Sequence, residues 1–299
     1  MPFSDIEKDI LHTLMYYDIF SYPLTKEELR LCSKLTDTNE AILQENLHNL
    51  QKNAHIAHEK GFYSLQKAPH WIEKRLQNNE RATQMLPKAH RISQFIGSFP
   101  YIRAVFLSGS ISKNVLAEDG DIDYFILTQP QRLWFARTLL ILFRKIFLLN
   151  SHKYFCVNYF LDTENMEIED KNLFTATELS YLIPTYGREY YAPLMTKNVW
   201  YKGFFPHFPL RNAESVPFSH KNWLKRGLEY IFDTRIGDWF DDTCMRITLY
   251  YRRKKFGNMA EKDFEVALKG RKYVSKHHPN HFQKKVEDAM NERKKRYAL

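Results

Sequence analysis

V-F-L-S-G-S-I-S-K-N-V-L-A-E-D-G-D-I-D-Y-F-I-L, residues 105–127, joins two compact apolar runs through a Ser-Gly-Ser bend and an Asp-x-Asp pair. The runs Ala104–Leu107 and Asp121–Leu127 have the length and the branched or aromatic content of strands. Between them Ser108, Gly109 and Ser110 open a short helical segment, and ten residues separate Ser110 from Asp121. Gly109 has no side chain, so the backbone there is free to turn tightly and to let a ligand come close. The start of the following helix presents unpaired N–H groups to an anion, Ser110 adds a hydroxyl donor, and Lys113 supplies a point charge one turn later. Side chains alternate across a strand, so Asp121 and Asp123 are expected on one face.

This combination of strand, Gly-Ser, spacing, Asp-x-Asp and second strand resembles the signature of the DNA polymerase beta-type nucleotidyltransferase superfamily. The resemblance spans roughly residues 90–165. It implies an α/β fold in which a small mixed sheet is flanked by helices. Ser108, Gly109, Ser110 and Lys113 would hold the triphosphate of an NTP. Asp121 and Asp123 would hold Mg²⁺ in a two-metal site, one ion activating the attacking hydroxyl and the other neutralising the leaving pyrophosphate. Members of the superfamily carry a third carboxylate on a later strand. Here the segment Lys153–Asp162, K-Y-F-C-V-N-Y-F-L-D, offers Asn158 in its middle and Asp162 at its end. Asp162 completes a catalytic trio with Asp121 and Asp123 if that strand is short; if Asn158 takes the position, binding survives without an obvious third acid.

Outward from the motif, Leu133–Leu149 is strongly apolar but contains Arg137, Arg144 and Lys145, which suits a packed helix and not a bilayer span. With Tyr154–Leu161 as a third strand, the order strand, short helix, strand, long helix, strand is an α/β plan over residues 99–165. Upstream, Ile6, Ile10, Leu11, Leu14 and Met15 recur at helical spacing. Thr25 with Glu28, and Asp37 with Glu40, form capping-box patterns that start two further helices, the second carrying Leu43, Leu47 and Leu50. His55–His58 and Phe62–Leu65 flank Gly61 as a small hairpin. Residues 1–66 therefore read as a winged-helix-like domain. The third helix shows Glu40, Gln44, Glu45 and Asn49 and no arginine, a poor match to phosphate and major-groove contact. Residues 67–98 read as a linking helix broken near Pro87.

Residues 166–299 are expected to be mainly helical. Tyr186, Arg188 and Tyr190 are read as packing in preference to a base-stacking set. Trp223, Leu224, Leu228, Ile231, Phe232, Trp239, Phe240 and Cys244 recur at helical spacing and are read as core. His277, His278 and His281 are read as exposed and not metal-binding, since no cysteine or acid completes a set.

Composition limits the classes. With 44% hydrophobic and 15% aromatic residues, the 299-residue chain has ample material for cores. Three scattered cysteines give neither a disulfide framework nor a zinc knuckle, and Met1–Asp9 lacks a signal-peptide plan, so a cytoplasmic protein without membrane contact is expected. Residues 251–299 hold 15 Lys+Arg against 6 Asp+Glu, so the whole net charge of +9 lies in that basic end. It offers a surface to a protein or nucleic-acid partner. No Walker loop, GxGxxG, HExxH or GxSxG is present. Two functions follow: Mg²⁺-dependent transfer of a nucleotidyl group from an NTP to an unidentified acceptor, or an inactive nucleotide-binding regulator that contacts a partner or nucleic acid.

Overall fold

The computed structural model describes residues 3–34, 39–220, 222–278 and 282–297. The chain begins with α1 (Asp5–Asp18), whose first turn is closed by a reciprocal cap between Ser4 and Glu7. A short β1 (Leu24–Thr25) leads into α2 (Lys26–Cys32), capped by the expected Thr25–Glu28 pair. α3 (Glu40–Lys52) is capped by Asn39; Asp37, expected in that role, lies outside the described residues. β2 (Ala57–Glu59) and β3 (Phe62–Ser64) form the hairpin, with Gly61 at a φ of 82° in the turn, and β1 adds a third strand on β3.

α4 (Pro69–Gly97) runs unbroken through Pro87, contrary to the expected interruption. Pro87 is exposed, so the carbonyl it leaves unpaired is on the hydrated side, while Ala82 and Ala89 bury the other side on either flank. The helix is tied to the N-terminal unit by Arg75, which donates to the Pro23 carbonyl and to Glu28 Oε1 at 2.6 Å.

The central sheet is mixed. β4 (Ile102–Ser108), α5 (Gly109–Ser112), β5 (Asp123–Thr128), α6 (Leu133–Phe147) and β6 (Cys156–Asp162) follow the expected order. After α7 (Leu173–Tyr181), β7 (Ile183–Tyr186) pairs on the free side of β4. Pro184 is tolerated there because β7 is an edge strand. α8 (Tyr191–Lys197), α9 (Trp223–Phe232), α10 (Arg235–Lys255) and α11 (Glu261–Leu268) precede β8 (Gly270–Arg271) and β9 (Val274–Lys276), and α12 (Phe282–Tyr297) closes the chain. β9 pairs with β6, giving the order β7-β4-β5-β6-β9-β8, parallel only between β5 and β6. Three strands from beyond residue 165 thus complete the sheet.

Alternate residues of β4 and β5 enter two cores. Ala104, Phe106, Phe125 and Leu127 join Ile10, Leu14 and Leu47 of the N-terminal helices in one apolar cluster. Val105, Leu107, Tyr124 and Ile126 join Ala82 and Ile96 of α4 and Trp134 and Leu140 of α6 in the other. The sheet is therefore flanked by helices on both faces.

The reading of residues 223–244 as core is corrected in part. Phe232 and Cys244 pack against the second apolar cluster, but Trp223, Leu224, Ile231 and Trp239 are 83, 54, 61 and 62% exposed. α9 instead docks through charges: Lys225 donates to the carbonyls of Gly97 (2.8 Å) and Ile102 (2.7 Å), and Glu229 accepts from Tyr101 N (2.7 Å) and Arg103 (2.8 Å). These bonds satisfy backbone groups where the end of α4 meets β4, which an apolar face would leave orphaned. Among the described residues no helix is long and apolar enough to cross a membrane.

Candidate functional site

β4 and β5 are paired so that Ser108 lies opposite Asp123. This register brings the Ser-Gly-Ser bend and the acidic pair together. Gly109 has a φ of 64°, a left-handed conformation that glycine adopts without penalty. A Cβ at this position would lie 2.3 Å from Asp123 Oδ2. Gly109 is therefore required twice, for the bend and for the approach of the carboxylate. Ser108, Gly109, Ser110, Lys113, Asp121 and Asp123 all line one cleft of about 1230 Å³.

Asp121 precedes β5 instead of lying within it. The backbone between the two aspartates is pinned where Ile122 N donates to Lys153 O (3.0 Å) and Cys156 N donates to Ile122 O (3.1 Å). On the next strand the register slips between Tyr124 and Phe125, which pair with Val157 and Tyr159, so Asn158 is the extra residue of a bulge. The bulge aims its amide back at the site. Asn158 Nδ2 donates to Asp123 Oδ1 at 3.0 Å and to Cys156 Sγ at 3.0 Å. Burial above all, helped by the charges of Glu178 and Asp121 and opposed by hydrogen bonds from Cys156 and Asn158, pushes the Asp123 carboxyl up to about 6.

Asp162 is not part of this site, a correction to the expected trio. It pairs with Thr128 at the far end of the sheet, five residues from Asp123 along β5, roughly 16 Å at 3.3 Å per residue. Its Oδ1 accepts from Glu164 N (3.0 Å), Asn165 N (2.8 Å) and Asn165 Nδ2 (2.9 Å), the work of a buried turn residue.

A carboxylate that sequence reading missed enters from another direction. Glu178, on α7, accepts from the Gly109 amide at 3.1 Å and from Lys113 Nζ at 2.7 Å, while Lys113 also donates to Gly109 O at 2.9 Å. Two of the donors expected to hold phosphate, Gly109 N and Lys113 Nζ, are thus engaged by Glu178. Its contact spans 69 positions of sequence, and no local spacing marks it.

Tyr16 and Tyr17 of α1 form part of one wall of the cleft, and Lys255, Lys262, His277 and His278 part of another. His277 and His278 are not exposed as expected; burial holds them down to about 3 and about 4, so both are neutral at pH 7. His281 lies outside the described residues. Tyr186 is fully buried with its hydroxyl donating to His220 O (3.0 Å), and Arg188 stacks on Phe218 at 3.8 Å, so both serve packing. Among the described residues no three His, Cys, Asp or Glu side chains form a metal-ligating group. Of the acids that line the cleft, Asp123 starts β5 opposite Ser108 of the bend and Asp121 lies two residues before it, with Asn158 bonded to Asp123.

Comparison with protein-family models, with curated proteins and with solved structures returns no match.

Proposed function

We propose that this chain is a nucleotidyltransferase: it binds an NTP in the manner of the DNA polymerase beta-type superfamily and transfers the nucleotidyl group to an acceptor. The observation that carries the reading is the close approach of Gly109 to the Asp123 carboxylate in a cleft also lined by Asp121, Ser110 and Lys113. A left-handed glycine bend whose missing side chain lets a carboxylate come close, next to a second carboxylate, fits a polyphosphate bridged to a divalent cation. Asp121 and Asp123 would hold Mg²⁺, which would supply charge neutralisation on the phosphates and activation of the acceptor hydroxyl.

The chain's own residues divide the remaining work. Gly109 N and Lys113 Nζ donate to the triphosphate once the Glu178 carboxylate turns away from them. Asp123 must ionise to serve, and Asn158 orients it by donating to Oδ1. The acceptor oxygen forms its new bond to the α-phosphorus as the bond to the bridging oxygen breaks and pyrophosphate leaves. A cleft of about 1230 Å³ exceeds the roughly 300–1,000 Å³ typical of one small ligand and leaves space for the acceptor. The N-terminal unit supports a winged-helix reading by its element order, and its tyrosines at the cleft favour a packing role over DNA contact.

One observation favours a second reading, binding without turnover. Asn158 stands where a third carboxylate is expected beside Asp123, and an amide does not accept the acceptor's proton. Isothermal titration with Mg·ATP separates both readings from their absence. Binding is expected for the natural chain and loss of binding for the Asp121→Asn/Asp123→Asn variant; equal affinity in the two refutes the assignment. Pyrophosphate release in the presence of acceptors then separates the enzyme from the binder.

A further inference from the structure

On the β6–β9 side of Asp123 lies a concentration of cations that nucleotide binding does not use. Arg137 and Arg252 stand against the ring of Trp134, their guanidinium centres 5.7 and 5.5 Å from its centroid. They are 9 and 4% exposed. Arg252 donates to the carbonyls of Leu268 and Lys269 and to Ser275 Oγ, and Arg137 has no hydrogen-bond or ion-pair partner among the described residues. Arg144, 7% exposed, bonds to His152 Nδ1 at 3.0 Å. The Nε groups of Arg144 and Arg252 are buried without a partner. Three buried guanidiniums therefore stand together, and among the described residues no carboxylate is bonded to any of them. Buried charge of one sign is costly unless something opposite answers it. Burial and the neighbouring Arg137 hold Arg252 down to about 8.

The three arginines do not line the cleft; the cluster reaches it through His152, which is bonded to Arg144. His152, His277, Lys255 and Lys262 line the cleft. His277 N donates to Asn158 O at 3.0 Å, one step from Asp123, and His277 Nδ1 is buried with no partner. Lys276 is answered by Asp170 at 3.2 Å and Lys284 by Asp263 at 2.9 Å. Lys255 and Lys262, both exposed, have no ion-pair partner among the described residues. Asp263, Glu287 and Asp288 are acids of the same wall, of which Asp263 is the one paired with Lys284. The position matters as much as the charge. Gly109 and Lys113 lie at the β4 end of the site and this wall at the β6–β9 end, with Asp123 of β5 between them.

We propose that Lys255, Lys262 and His277 seat a phosphate group of the acceptor, so that the molecule receiving the nucleotidyl group is itself phosphorylated. The guanidiniums behind the wall do not touch the ligand; their unanswered charge is what a phosphate at the wall would relieve. The assignment of the ligand as acceptor rests on the nucleotidyl-transfer reading, whereas the phosphate seat does not. Isothermal titration of the full chain with ribose 5-phosphate, with ribose and with a short 5′-phosphorylated single-stranded RNA tests it, alongside Mg·ATP. A phosphorylated probe is expected to bind, about tenfold more weakly in Lys255→Ala/Lys262→Ala, with Mg·ATP affinity unchanged in that variant. Tighter binding of the RNA assigns the phosphate to nucleic acid, and of ribose 5-phosphate to a small metabolite. Probe binding that persists in Asp121→Asn/Asp123→Asn separates this seat from the nucleotide site, and stands even if Mg·ATP fails to bind at all. Equal probe affinity in the natural chain and the lysine variant, ribose binding as well as ribose 5-phosphate, or no binding of either phosphorylated probe overturns the proposal.

Discussion

Replacing Glu178 by glutamine removes the negative charge now held by Gly109 N and Lys113 Nζ without removing the side chain's length or its acceptor oxygen. In the native chain the Lys113–Glu178 pair is 2.7 Å long, and the two side chains are only 19 and 28% exposed. A partly buried, charge-assisted contact of this kind contributes about 1.5–3 kcal/mol. A triphosphate must displace it to reach the same donors. Because glutamine still accepts, the lower part of that range applies, and Glu178→Gln is expected to tighten Mg·ATP binding about tenfold. Folding stability is expected to fall by about 1 kcal/mol as Lys113 loses its counter-charge. Isothermal titration and urea unfolding read the two effects separately. Unchanged or weaker Mg·ATP binding would refute the reasoning, since Glu178 would then not compete for the phosphate donors.

Gly109→Ala is expected to cost about 3 kcal/mol, because a left-handed φ and a Cβ 2.3 Å from Asp123 Oδ2 act together; a change within about 0.5 kcal/mol in urea unfolding contradicts the packing described. The Asp123 carboxyl lies above its free value of 3.8, so its ionisation opposes folding. Its stability contribution is present in full below pH 3.8 and is lost as pH rises through about 6. Asp123→Asn, measured without divalent cations, should therefore be more stable than the natural chain at pH 7.5 by about 3 kcal/mol and close to it near pH 4; the same difference at both pH values contradicts the assigned cause. Asn158→Asp places a third carboxylate beside Asp123, and its melting temperature should rise more on adding Mg²⁺ than that of the natural chain; equal Mg²⁺ dependence removes Asn158 from the site.

Much of the central sheet was readable because its signals are local. Two apolar runs, a Ser-Gly-Ser bend and an Asp-x-Asp pair placed β4, α5 and β5 in order, and the apolar stretch after them placed α6 and β6. What escaped depends on distance or on reversal of the usual pattern. β7 is four residues with Pro184 inside, β8 and β9 are two and three residues in a lysine-rich segment, and none has an alternating run long enough to register. Periodicity read residues 223–244 as one helical stripe where the chain forms α9 and α10, and it misplaced the buried face of α9, where Lys225 and Glu229 are buried and Trp223 and Ile231 exposed. Asp162 was misplaced because β6 runs seven residues, long enough to carry its end away from Asp123. Glu178 could be found only in three dimensions.

The central claim places a polyphosphate and a divalent cation between the Gly109 bend and the two aspartates. A crystal of the chain with Mn²⁺ and a non-hydrolysable ATP analogue tests it most directly, through the anomalous signal of the metal. The account predicts a peak bridging the carboxylates of Asp121 and Asp123 to the phosphates, with a phosphate oxygen on Gly109 N in place of Glu178. Metal or nucleotide bound elsewhere, with Glu178 still on Gly109 and Lys113, would contradict it.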